Sequence, residues 1–153
     1  MSNDLLAKLR PLRKGSAVLF TGPAGTGKTL AAEAIARELN VVVQRVDVPA
    51  IVSKFIGETE KNLDAVFSSA ATVNAVLFFD EADALLGKRS KVKDAHDRYA
   101  NIEVDYLLKR IEAYPGLVIL ASNLPLDIDP SVLKRMALVV DFPTAKDQNT
   151  TTR

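Results

Sequence analysis

Residues Gly22-Pro23-Ala24-Gly25-Thr26-Gly27-Lys28-Thr29 set glycines, a lysine and a hydroxyl at the spacing G-x-x-x-x-G-K-[ST]. That combination suits the cradling of a phosphate. The glycines let the backbone turn its N–H groups onto an anion, and a helix starting at the end of the loop adds the positive end of its dipole. Lys28 can then reach β and γ oxygens, the Thr29 hydroxyl can ligate Mg²⁺, and Leu30 completes the expected nucleotide-binding set. A glycine-rich turn with an unrelated lysine has the same letters. Context separates the two, since a phosphate loop follows a strand and opens a helix.

Two further groups could share that chemistry. Val76-Leu77-Phe78-Phe79-Asp80-Glu81 is an apolar run that ends in adjacent carboxylates. Beside a phosphate loop, Asp80 can hold Mg²⁺ and Glu81 can polarise a water for attack on a γ-phosphate. The same letters also describe a strand leaving into a solvated acidic turn, which Asp83 would suit. Asn123 follows the apolar run 117–122 in the same way. Its amide can donate to a phosphate oxygen or orient the water, although Asn before Leu124-Pro125 also begins turns.

These groups work together only if the elements carrying them end at one edge. Five short runs dense in Val, Ile, Leu and Phe, at 17–21, 41–46, 75–79, 117–121 and 137–142, read as strands. Four of the five are nearly continuous, the pattern of strands buried on both faces of a parallel sheet. Between them, 29–39 carries Leu30, Ala31, Ala34, Ile35 and Leu39 at helical spacing, and 58–71 carries Leu63, Val66, Phe67 and Ala70. A third helix, roughly 94–113, has two apolar stripes, Tyr99-Ile102-Tyr106 and Val104-Leu107-Leu108-Ile111, and stops at Pro115-Gly116. Strands alternating with helices at this spacing predict right-handed βαβ units and an α/β three-layer sandwich. The phosphate-loop candidate lies between the first strand and first helix of that pattern.

Composition narrows the alternatives. The chain has 153 residues, 48% hydrophobic and 25% charged, which is globular usage and the length of one domain. It has no cysteine and one histidine, His96, which closes off disulfides, thiolate chemistry and sites that need two imidazoles. A formal charge of +1 supplies no global field for nucleic acid or an anionic membrane. No stretch approaches the roughly 18 apolar residues of a membrane span, and the N-terminus lacks a signal-like apolar core, so a cytoplasmic protein is expected.

In order and spacing, GPAGTGKT, LFFDEAD and ASN-LPLDIDPSVLKR resemble the Walker A, Walker B and second homology regions of AAA+ ATPases, specifically the AAA clade of protein-remodelling motors. The resemblance covers roughly residues 15–143. It implies a P-loop NTPase sandwich with a five-stranded parallel sheet of order 5-1-4-3-2, the cofactors ATP and Mg²⁺, ATP hydrolysis, ring-shaped homohexamers and a polypeptide substrate. SKFIGETEKNL, residues 53–63, resembles the clade's first pore loop, in which Lys54, Phe55, Ile56 and Gly57 would contact the polypeptide. From the residues alone, Phe55 and Ile56 could instead be core side chains at a helix break. Arg135 stands where the family has an arginine finger for a neighbour's γ-phosphate, and by itself is a helix-end arginine in solvent. The region 88–98 resembles the second pore loop, and by composition is a solvated charge run.

The chain also departs from that pattern. Met136-Ala137-Leu138 replaces a second arginine and phenylalanine after the finger, and Leu124 replaces an arginine common after the sensor asparagine. The family continues past the fifth strand into a helical lid, and has an N-terminal linker that borders adenine. Here the lid is expected to be absent and the linker short or missing, so an excised or engineered core is expected. It would span 1–143 and be followed by a polar tail, 144–153, that frays. Such a core would turn over ATP slowly. The alternatives are a nucleotide-binding module or scaffold with little turnover, and a P-loop kinase, disfavoured because no substrate-binding insertion is evident.

Overall fold

The apolar runs form five strands, β1 (Ala17–Thr21), β2 (Val43–Asp47), β3 (Val76–Asp80), β4 (Val118–Ser122) and β5 (Leu138–Asp141). The computed structural model describes residues 3–9, 15–86, 95–123 and 128–143. All strand pairs are parallel and the sheet runs β2-β3-β4-β1-β5, the expected order read from its other edge. Parallel neighbours require crossovers, and the helices supply them. Helix α1 (Asn3–Leu9) precedes β1, and the connections carry α2 (Lys28–Glu38), α3 (Val48–Ile51), α4 (Glu58–Ala71), α5 (Asp83–Leu86), α6 (Ala95–Ala113) and α7 (Pro130–Leu133).

Alternation along each strand sends successive side chains to opposite faces, and this divides the core in two. Val18, Phe20, Val76, Phe78, Ile119 and Ala121 pack with Ala32, Ile35 and Ala36 of α2 and with Leu6 and Leu9 of α1. On the other face, Leu19, Leu77, Phe79 and Leu120 meet Leu63 and Phe67 of α4 and Leu107 and Ile111 of α6. Phe67 lies 5.7 Å from both Phe79 and Tyr114, edge-on to the latter. Fully burying one such apolar side chain contributes about 1.5–3 kcal/mol. Tyr114 also donates its hydroxyl to the Ala75 carbonyl at 2.5 Å, and burial pushes its pKa up.

One expectation needs correction. Burial on both faces holds for β1, β3 and β4 but not for β2 and β5, whose residues alternate between half-buried and exposed or bear polar side chains. Both are edge strands, with one neighbour each, so an apolar run there lacks the cover that central position supplies. Residues 3–9 form α1, whose Leu6 and Leu9 are buried on the α2 side.

Helix α4 has the bounds read from its periodicity, α2 is shifted by one residue at both ends and α6 starts one residue later. The stripe at Leu107, Leu108 and Ile111 is buried, while Val104 and Tyr106 are partly buried against the same core. Residues 87–94, the turn expected at Leu124-Pro125 and the tail 144–153 lie outside the described residues. Among the described residues no helix is long and apolar enough to cross a membrane.

Candidate functional site

Strand β1 ends at Thr21, and the chain leaves it through Gly22, whose N–H donates to the Ser122 carbonyl at 3.1 Å. Gly22 has φ 138°, and a β-carbon there would collide with the Phe142 carbonyl, so both conformation and space require glycine. The loop then enters α2 at Gly27, with no side chain capping the helix. The positive end of an 11-residue helix is thus presented to the cleft that Gly27, Lys28, Thr29 and Leu30 line.

Lys28 is 6% exposed. Its Nζ donates to the carbonyls of Gly22 at 2.6 Å and Pro23 at 2.8 Å, while Thr26 Oγ1 donates to the same Pro23 carbonyl at 2.7 Å. Burial lowers the Lys28 pKa, and the charges of Asp80 and Asp83 oppose that shift. The ammonium therefore sits in a desolvated position, held by loop carbonyls at the place where an anion would bring compensating charge.

Register brings the other groups to the same edge. Thr21 pairs with Ser122 and Phe79 with Leu120, so β1, β3 and β4 end together. Asp80, Glu81 and Asn123 line a cleft of about 470 Å³ with Ala24, Gly25, Gly27, Lys28, Thr29 and Leu30. Glu81 has φ 55°, a left-handed region uncommon for a non-glycine residue and costly in local strain. Its side chain is exposed, while the next residue, Ala82, is buried and donates its N–H to the Ala121 carbonyl at 2.8 Å. The reversal at Glu81 thus tethers the turn to β4.

Two polar neighbours were not among the site residues read from the sequence: Asp83, noted there only as part of an acidic turn, and Arg45. Asp83 accepts from the Asn123 N–H at 3.4 Å, linking the acidic turn to the end of β4. Arg45 of β2 donates to Asp80 through Nε at 3.2 Å and through a terminal nitrogen at 2.5 Å. Charge on an edge strand reads as solvated surface, so only the placement of β2 beside β3 could have marked Arg45.

Lys54, Phe55, Ile56 and Gly57 form a separate feature. Phe55 and Ile56 are 77% and 70% exposed, which decides against the core alternative. The base of the loop is held from α4: Thr59, fully buried, accepts from the Ser53 N–H at 2.9 Å, and Asn62 donates to the Ile51 carbonyl at 2.8 Å. Gly57, at φ 81°, turns the chain into α4. The apex is therefore held out by polar bonds below it, with no apolar contact required. Phe55→Ala is expected to leave stability within about 0.5 kcal/mol of the parent, since only packed phenylalanines cost about 3–5 kcal/mol. Urea denaturation checks this, and a loss of several kcal/mol would make Phe55 structural.

Arg135 is not brought to the cleft. It follows α7, a short helix capped by Asp129, which accepts from the Ser131 N–H at 2.9 Å. The Arg135 guanidinium pairs with Glu112 near the end of α6. Glu112 lies against Gly15, just before β1, so this pair sits at the edge of the sheet opposite the phosphate loop.

Residues 18–144 match the family model described as the ATPase family associated with various cellular activities (AAA). The chain is 38% identical over 133 residues to a Cell division cycle protein 48 homolog of Archaeoglobus fulgidus, a match covering 84% of this chain and 18% of that protein. It is 32% identical over 153 residues to Spastin of Ixodes scapularis, covering 96% of this chain and 23% of the relative. Peroxisomal ATPase PEX6 of Arabidopsis thaliana is 38% identical over 129 residues, covering 80% and 14%. The chain thus spans less than a quarter of the length of each of these relatives.

Proposed function

This chain belongs to the AAA family of ATPases, and from that premise we propose that it binds Mg·ATP in the cleft described above and hydrolyses it, within a cytoplasmic homohexamer that remodels or translocates protein. The observation that carries the proposal is the convergence of one buried ammonium, two carboxylates and an amide on the open end of a phosphate loop. The donor set fits a magnesium nucleotide. Mg²⁺ favours one or two protein oxygens with phosphate oxygens and water completing its shell, and Thr29 and Asp80 are the residues that would hold it. When bound, the ion neutralises charge on the β and γ oxygens.

The roles of the residues follow. The amides of the loop and the α2 terminus bind phosphate oxygens, and Lys28 exchanges its carbonyl partners for them. Glu81 takes the proton of the water that attacks the γ-phosphorus, and ADP leaves with the bridging oxygen. Asn123 orients that water or donates to the γ-phosphate, and Asp83 steadies the Asn123 backbone. The loop Lys54 to Gly57 presents two apolar side chains to a polypeptide, consistent with the general avoidance of clustered apolar exposure without a partner.

Arg135, which lies away from its own chain's cleft, acts on that of a neighbouring subunit. ATPase activity per mole of chain is accordingly expected to rise with protein concentration, because an arginine supplied in trans is worth orders of magnitude in rate. Phosphate release measured at several concentrations, alongside the mass in solution with Mg·ATP, tests this. Fast turnover independent of concentration in a monomer would overturn the dependence on partners. Binding with little turnover is the second reading, favoured by the ion pair that holds Arg135 to Glu112 within one chain.

A further inference from the structure

Asp80 is the carboxylate through which the cleft would hold a metal ion, and in this structure it already has a cation. Arg45 reaches it from the neighbouring strand. The register pairs Arg45 with Phe78 and Asp47 with Asp80, so the Arg45 and Asp80 side chains emerge on the same face, two residues apart along the strand direction. The guanidinium spans that offset, and both nitrogens donate to one oxygen, Asp80 Oδ2. The Arg45 pKa is raised, chiefly by the hydrogen bond and charge of Asp80, with Asp47 and Glu81 adding to the effect. The arginine is thus the counter-ion of an acidic cluster that Lys28, turned toward the loop carbonyls, serves only at longer range.

The two cations differ in their freedom. Lys28 is buried in the loop, whereas the Arg45 side chain is 59% exposed and Asp80 15% exposed. Arg45 can therefore move into water at little cost while its partner stays in the cleft. A divalent ion and a guanidinium on the same carboxylate repel one another, and the guanidinium already occupies one of its two oxygens.

We infer that Arg45 is an exchangeable counter-ion on the metal side of the cleft: its pairing with Asp80 Oδ2 competes with a magnesium nucleotide for that carboxylate. This rests on the proposed nucleotide site and adds a competitor that sets how much Mg²⁺ the site requires. An ion pair this exposed is a weak latch, worth a factor of about two to five in an equilibrium constant. It shifts the Mg²⁺ requirement without blocking binding.

The test uses a fluorescent ADP analogue and the full chain, with Mg²⁺ titrated at fixed nucleotide and a parallel titration in EDTA, and with circular dichroism to confirm folding. Arg45→Ala is expected to lower the Mg²⁺ midpoint about two- to five-fold while leaving affinity in EDTA unchanged. Arg45→Lys, which keeps the charge, is expected to return the midpoint toward the parent. Equal midpoints in parent and Arg45→Ala would overturn the inference alone, since the nucleotide site would still be present. Weakened binding with and without Mg²⁺ would also overturn it, making Arg45 a phosphate ligand instead. A folded parent that bound no nucleotide at all would overturn the reading of the site and this inference with it.

Discussion

Lys28→Ala is expected to abolish or strongly weaken nucleotide binding while the chain stays folded. The expectation rests on where the buried side chain ends. Its ammonium bonds to the Gly22 and Pro23 carbonyls, and Lys28 belongs to neither apolar cluster. In the proposed nucleotide complex those bonds would give way to charge-assisted bonds to phosphate, worth about 1.5–3 kcal/mol each. Losing one or two of them corresponds to about ten-fold to more than a thousand-fold in affinity. Removing the lysine also relieves a desolvated charge, which limits the cost to the fold. Nucleotide titration with circular dichroism reads both properties, and parent-like affinity in a folded Lys28→Ala chain would remove the phosphate loop from the site.

Glu81→Gln separates binding from chemistry. The substitution keeps size and shape while replacing one acceptor oxygen with an amide donor, and the side chain is exposed at the mouth of the cleft, so neither fold nor phosphate contacts should suffer. A neutral amide cannot take a proton from water, and a positioned general base contributes about 10²–10⁴ in rate. The variant is expected to bind ATP as the parent does and to lose hydrolysis by that factor. The positive φ at residue 81 is tolerated by glutamine as well as by glutamate, so backbone strain does not confound the comparison. Phosphate release at saturating ATP is the measurement, and hydrolysis at the parent rate would show that Glu81 is not the base. A parent with no hydrolysis to lose would favour the binding-module reading.

The parts of this protein legible in the sequence are those governed by near neighbours along the chain. The loop from Gly22 to Thr29 combines a turn that only glycine permits with the start of a helix, and both are local properties. Helix α4 could be bounded from Leu63, Phe67 and Ala70 because a 3.6-residue period is written within a few turns. Asp80 and Asn123 could be placed at strand ends because each closes an apolar run, and parallel strands with short returns carry their ends to one side of a sheet.

Tertiary structure decided what depends on pairing between distant segments. The letters of β5, Leu138 to Asp141, are as apolar as those of a central strand, yet alternate residues face solvent because the sheet stops there. The exposure of Phe55 and Ile56 depends on Thr59 and Asn62 gripping the loop from α4, and hydroxyl and amide side chains of that kind are common on helices without such partners. Arg135 meets Glu112 across 23 residues, and Arg45 meets Asp80 across 35. Apolar side chains declare their destination by period, because burial rewards any contact with the core. A charged side chain is decided by the one partner that register puts within reach, and register is set by strands far apart in the chain.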